Sequence, residues 1–196
     1  MKNALLNLSL LAFMASPSLA GAQPKARAEQ YKPYSMEGGH FSCLVPESWE
    51  LKRDKDQDEE YKIYEIELVA PKSAKAPIAI FISYYSKDNE DFNDYRDYIK
   101  RNSRNVAGET KTSRENYAPV KNIRLNDRKG FELSSETLEF LHPESKSDES
   151  VALKEKIYVL PAKSGFYVVR FSAPREEFAP NLKVFEKVAR SFKGRP

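Results

Sequence analysis

The chain has 196 residues and a mass of 22.5 kDa, with 32 Lys and Arg against 29 Asp and Glu for a formal charge of +3. That length suits one domain, and near-balanced charge removes the electrostatic case for nucleic acid or an anionic membrane as partner. With 40% hydrophobic residues, 11 Tyr and 11 Phe, but a mean hydropathy of -0.66, the composition excludes a wholly disordered, a collagen-like and a polytopic membrane chain.

Taken from the N-terminus, residues 1–20 read as a signal peptide. Lys2 supplies the positive start, an apolar stretch runs from Leu5 to Ala15, and Ser18-Leu19-Ala20 ends it with small residues where a signal peptidase cuts. Cleavage is expected after Ala20, with Ala22 as the second choice. The apolar stretch is about half the roughly 20 residues that span a bilayer, so no stable membrane insertion is expected. Ala22 stands where a lipoprotein signal needs Cys. The mature protein is therefore expected to be soluble and exported, periplasmic or extracellular. Residues 21–39, rich in Ala, Gly, Pro and Gln, read as a flexible leader, and 40–196 as the folded domain.

Within that domain, Phe41 to Val45 reads as a short strand closed by Pro46, and Trp49 and Leu51 open a second. Arg53 to Glu60 holds seven charged residues in eight and reads as a solvated loop or strand end. Tyr61 to Val69 alternates charged with apolar residues, the period of a half-buried strand. Ile78 to Tyr85 is apolar without a break in charge and reads as a central strand covered on both faces. Asp88 or Asn89 can cap a helix that carries Phe92, Tyr95 and Ile99 on one side, with Arg101 and Arg104 towards its end. Two hairpins follow, Pro119 to Leu125 with Phe131 to Leu141 around a turn at 126–130, and Ser150 to Leu160 with Phe166 to Ser172 around a turn at 161–165. A last helix runs from Asn181 to Lys193, with Phe185, Val188, Ala189 and Phe192 on its apolar stripe. Short connections favour antiparallel neighbours over parallel crossovers. The expected fold is an α/β/α sandwich of the α+β type, with a mainly antiparallel sheet of six to eight strands flanked by helices.

Few residues carry chemistry. Seven scattered glycines leave no phosphate-cradling loop, and no Gly-x-Ser-x-Gly elbow exists. Only His40 and His142 could serve as imidazole base, so no catalytic residues are assigned and no enzyme is expected. One cysteine makes no internal disulfide, and Cys43, beside Phe41, Leu44 and Val45, reads as a buried apolar residue. His40 and Cys43 have zinc-ligand spacing but lack two further ligands. Arg101, Arg104, Lys111 and Arg114 form a modest basic patch, and Arg190, Lys193 and Arg195 another. Tyr84, Tyr85, Tyr95, Tyr98 and Tyr167 could line a recognition surface, though such positions are more often core.

The sharpest metal candidate is Asp54, Asp56 and Asp58, with Glu65 eleven residues after Asp54, at the first, third, fifth and twelfth positions of a calcium loop. Glu59 occupies the position that needs glycine. An extended path at about 3.3 Å per residue would carry Glu65 about 23 Å from Asp58. Weak calcium at Asp54, Asp56 and Asp58 without Glu65 is thus the remaining expectation, and no other cofactor is expected.

The order of these elements resembles the PsbP-like superfamily, which includes extrinsic photosystem II proteins, a Ran-binding import factor and bacterial exported members. The resemblance spans about Phe41 to Lys193. It rests on FSCLVPESWEL with its Pro46-x-x-Trp49, on the Arg128-Lys129-Gly130-Phe131 turn, and on Ser172-Ala173-Pro174 followed by Ser191-Phe192. It implies an antiparallel sheet flanked by helices and a non-enzymatic role in binding or assembly. The function expected is an exported, monomeric module that works by protein–protein contact. The alternative is an envelope protein that binds a small molecule or a divalent cation such as calcium.

Overall fold

The apolar run at 78–85 is the strand on which the fold is organised. In the computed structural model, which describes residues 29–72 and 75–195, it forms β5 (Ala79–Ser86). Its even-numbered residues Ile80, Ile82 and Tyr84 enter one core, and Tyr85 faces a second on the opposite side. That is the period-two outcome of a strand covered on both faces. The signal peptide, its cleavage site and the first part of the leader lie outside the described residues.

Before β5 come β1 (Tyr31–Ser35), β2 (Phe41–Pro46), β3 (Glu50–Lys52), α1 (Lys55–Tyr61) and β4 (Ile63–Val69). After it come α2 (Tyr95–Asn102), β6 (Glu115–Tyr117), β7 (Lys121–Leu125), β8 (Arg128–Phe140), β9 (Ser150–Ala162), β10 (Gly165–Pro174), α3 (Arg175–Ser191) and β11 (Lys193–Gly194). The large sheet has eight strands in the order β3-β4-β5-β10-β9-β8-β6, with β7 also paired to β8, and all its pairings are antiparallel. A three-stranded sheet, β1-β2-β11, packs with α3 over one face, and α2 packs on the other. The α+β fold with a sheet flanked by helices is as expected, and the strand count is at the top of the expected range.

The larger core joins Phe41, Cys43 and Val45 of β2 to Phe178, Phe185 and Val188 of α3 and to the even-numbered face of β5. Phe171 lies with its ring centroid 4.8 Å from Phe178 and 5.3 Å from Phe185. Side chains of that size, when fully buried, each stabilise the fold by about 1.5–3 kcal/mol.

Five local expectations change. Tyr31–Ser35, placed by sequence in the leader, is a strand paired with β2, because Tyr31 and Tyr34 have apolar core to cover. The charged run after Arg53 is not a loop: residues 55–61 are helical, and the inward position of that helix is an aspartate, which no hydrophobic pattern reveals. The helix expected from 88 or 89 starts later. Asn89 is used in a local turn, accepting the Phe92 N–H at 2.9 Å, and Asp94 is the cap, accepting from Arg96 N at 2.7 Å and Asp97 N at 3.0 Å.

The last helix begins at Arg175, through Pro180, which lies in its second turn and removes one amide donor. Phe178 anchors that extra turn on Phe171. The first hairpin turns on Asn126 and Asp127, both at positive φ (48° and 62°), and not over five residues. Gly130 belongs to β8 instead, where an added Cβ would lie 2.6 Å from the Val159 carbonyl oxygen. Its small size is a packing requirement of the β8–β9 pair.

Candidate functional site

Alternation along β4 turns Ile63, Glu65 and Glu67 to one side of the sheet, where they line an open cleft of about 650 Å³. Lys52 at the end of β3, Arg53 and Asp54 after it, and Asp58 and Tyr61 of α1 form one wall. Tyr85 of β5 and Asp91 of the next loop form the other. The local chain path explains the shape. After α1 the backbone reverses at Lys62, which adopts a positive φ of 56°, so that β4 runs back past the helix.

Within the wall, Asp58 is buried and both of its oxygens are engaged. Oδ2 accepts from Arg53 Nε at 2.7 Å, and Oδ1 accepts the Glu65 backbone N–H at 3.2 Å. Arg53 also donates through Nη1 to Glu37 at 3.2 Å, and Lys55 Nζ reaches the same Glu37 oxygen at 2.7 Å. Hydrogen bonding from Lys55, then its charge and that of Arg53, hold the Glu37 carboxyl below its usual range. This network fixes α1 against the sheet.

On the floor, the Glu65 carboxylate accepts from Ser83 Oγ at 2.5 Å. Burial raises its pKa, and the Ser83 bond and the charge of Arg170 only partly oppose that. Arg170 itself sits with its guanidinium 4.4 Å from the Phe81 ring centroid and its Nε 3.6 Å from Glu155. Burial also pushes the Tyr85 hydroxyl up, with Glu65 adding to the effect. Among the described residues, Glu67 and Asp91 make no ion pair or hydrogen bond through their side chains. The cleft therefore offers an excess of pre-positioned carboxylates, a surface suited to an ammonium or guanidinium group.

The three aspartates expected as calcium ligands are not brought together. Asp54 Oδ1 accepts the Asp56 N–H at 3.1 Å at the start of α1, and Asp58 turns away into the sheet. Among the described residues no group of three or more His, Cys, Asp and Glu converges as a metal requires. The expected separation of Glu65 from Asp58 is also corrected. The extended path was the wrong premise, because the reversal at Lys62 brings the Glu65 amide onto Asp58 while its carboxyl points to Ser83.

The remaining candidates are dispersed. His40 is stacked on Tyr64 at 3.9 Å and Tyr84 at 5.1 Å, and burial followed by the Arg195 charge lowers its pKa. Cys43 is turned into the core, and burial pushes its thiol up to about 12. His142 is an exposed loop residue 3.7 Å from Glu149. Tyr84, Tyr98 and Tyr167 are buried, while Tyr85 and Tyr95 remain partly open. In the first basic patch, Arg101 pairs with Asp97 at 2.7 Å and Arg114 lies over Phe140 at 4.9 Å. Sequence reasoning missed Arg53, Glu65 as a floor residue, Glu67, Ser83 and Asp91. Ser83 carried a usable signal, a hydroxyl inside an otherwise apolar strand, which needs a partner when buried.

No protein-family model matches this chain, and no characterised protein matches it in sequence. Solved structures do. Cyanobacterial PsbP from Synechocystis is 12% identical, with 90% of this chain and 99% of that chain covered and a TM-score of 0.50. A protein of Bacteroides thetaiotaomicron is 13% identical over 84% of this chain and 48% of its own, with a TM-score of 0.52. The Ran-binding protein Mog1p of Saccharomyces cerevisiae is 10% identical over 85% and 96%, with a TM-score of 0.49. At such identities the likeness is one of architecture, an antiparallel sheet with helices on its faces. The fold of this chain is similar to that of the cyanobacterial PsbP.

Proposed function

We propose that the protein is an exported, non-catalytic binding or assembly module that works by contact with a protein partner through the cleft beside β4. One observation carries the reading: Glu67 and Asp91 line an open cleft and, among the described residues, neither makes an ion pair, Lys52 opposite Glu67 being turned to Glu50, while Asp58 and Glu65 are already hydrogen-bonded. A lysine or arginine of a partner entering there meets acceptors that need no rearrangement, which favours selective recognition. The signal-like sequence at residues 1–20 supports a place outside the cytoplasm. Among the described residues no helix is long and apolar enough to cross a membrane.

A second reading is a small cationic molecule in the same cleft, favoured by a volume inside the range of about 300–1,000 Å³ usual for such sites. Cross-linking pull-downs from envelope extracts, with folded wild type beside the Glu67→Lys/Asp91→Lys variant, separate the readings. A partner captured by the wild type and lost by the variant is expected. Folded wild type that repeatedly recovers nothing overturns the protein-contact reading.

A further inference from the structure

A second surface lies at the other end of the same sheet, and its chemistry is opposite. Tyr95 at the start of α2, Phe131 of β8 and Pro161 of β9 form an apolar floor, with the Tyr95 and Phe131 rings stacked at 5.7 Å and both partly exposed. Together with Asn122, Ile123 and Arg124 of β7 and Lys129 of β8 they enclose a groove of about 510 Å³. Among the described residues no carboxylate lines it.

Arg124 and Lys129 face each other directly across the β7–β8 pair. Like charges at opposed positions destabilise an antiparallel pair, so their presence calls for a compensating charge. Among the described residues neither makes an ion pair, and both are exposed. The neighbouring Lys121 reaches Glu132 at 3.8 Å and Arg96 reaches Asp94 at 3.2 Å, so nearby acids are already shared with other cations. In addition, among the described residues β7 is paired on one side only, and three of its residues line the groove. A strand paired on one side only can take an added strand on the other.

We propose that this groove binds an extended acidic segment of a partner protein. The segment lies along the open side of β7, places its carboxylates beside Arg124 and Lys129, and seats an aromatic side chain on Tyr95, Phe131 and Pro161. Charge complementarity selects this occupant: a basic segment would meet two unpaired cations, and an uncharged one would leave their repulsion in place. This surface is separate from the cleft beside β4 and does not depend on the reading given for it.

The test is a titration of isotope-labelled protein, followed by amide NMR shifts, with a synthetic heptapeptide alternating glutamate and phenylalanine, and with its lysine-for-glutamate counterpart. Shifts confined to residues 121–131 and Tyr95, seen only with the acidic peptide and weakened by salt, are expected. Arg124→Glu/Lys129→Glu should weaken binding by about tenfold or more, since it turns attraction at both positions into repulsion. Tyr95→Ala should weaken it while leaving the salt dependence in place. No shift, shifts centred on β4, or equal binding of the lysine peptide overturns the proposal. So does a charge-reversed variant that self-associates while wild type ignores the acidic peptide, because the two cations would then serve only to keep the sheet edge from pairing with another copy.

Discussion

Asp58 stands in for a missing strand beside Glu65. β3 pairs with β4 only over Glu67 to Val69, and two residues further back the Glu65 N–H finds the Asp58 carboxylate at 3.2 Å, with Arg53 on the other oxygen. Asp58→Ala leaves a half-buried guanidinium and a strand amide without their acceptor. The expected loss of stability is about 3 kcal/mol in urea denaturation. Asp58→Asn keeps an acceptor for the amide and should lose less. An alanine variant as stable as wild type would show that α1 does nothing for the sheet edge.

Both Asp58 oxygens are engaged, and among the described residues no group of three or more metal-ligating side chains converges. Calorimetric titration with calcium should give no stoichiometric heat, and Asp56→Ala should leave the melting temperature unchanged. A saturable heat that Asp56→Ala abolishes would restore the calcium reading.

Glu65 makes stability depend on pH. Burial raises its carboxyl pKa above the ordinary 4.5, so the folded state holds that proton more tightly than the unfolded chain. Its contribution is complete below pH 4.5 and is lost as pH rises through the raised value. Glu65→Gln retains an acceptor for Ser83 without the buried charge. The variant should be more stable than wild type at neutral pH, with the difference closing in acid; denaturation curves at several pH values decide it.

Burial pushes the Cys43 thiol up to about 12, leaving almost no thiolate near neutral pH. A disulfide-exchange reagent should therefore react with the unfolded chain at once and with the folded protein only as fast as it opens. Prompt reaction of the native protein would place Cys43 at the surface.

Tyr167 ties the two ends of the domain. Its hydroxyl donates to the His40 carbonyl at 3.0 Å and accepts the Arg195 N–H at 2.8 Å. Arg195 in turn donates to the Gly39 carbonyl at 2.9 Å and to that of Gly38, while Arg128 holds the Gly194 and Arg195 carbonyls. Tyr167→Phe should cost about 1–3 kcal/mol, read by chemical denaturation, and should speed amide exchange at Lys193 and Gly194, where β11 meets β2.

The fold was largely legible in the chain because its strands obey a simple rule. β4 alternates, β5 is apolar apart from Ser83 and its last residue Ser86, and both hairpins carry short turn segments, so apolar burial largely dictates where they go. The elements that escaped are those held by polar groups. The helix at 55–61 looks like a solvated loop, because its inward residue is Asp58 and its stabilisation comes from Arg53 and a strand amide. The cap expected at Asp88 or Asn89 is at Asp94 instead, because Asn89 is used in a local turn on the Phe92 N–H, with Phe92 packed against Phe166 and Tyr98 ahead of the helix.

By itself, then, the sequence determined the class of the fold, the two hairpins, the apolar faces of the sheet and the burial of Cys43. Each of these follows from the transfer of apolar surface out of water, which depends on residue type and period. Only the tertiary structure decided which charges meet. The pairing of Asp58 with Arg53 and Glu65, the place of Glu67 and Asp91 on one cleft, and the opposed Arg124 and Lys129 depend on chain reversals at Lys62 and at Asn126–Asp127. A charge interacts over a few ångströms with whatever the fold places beside it, and one-dimensional spacing does not contain that distance.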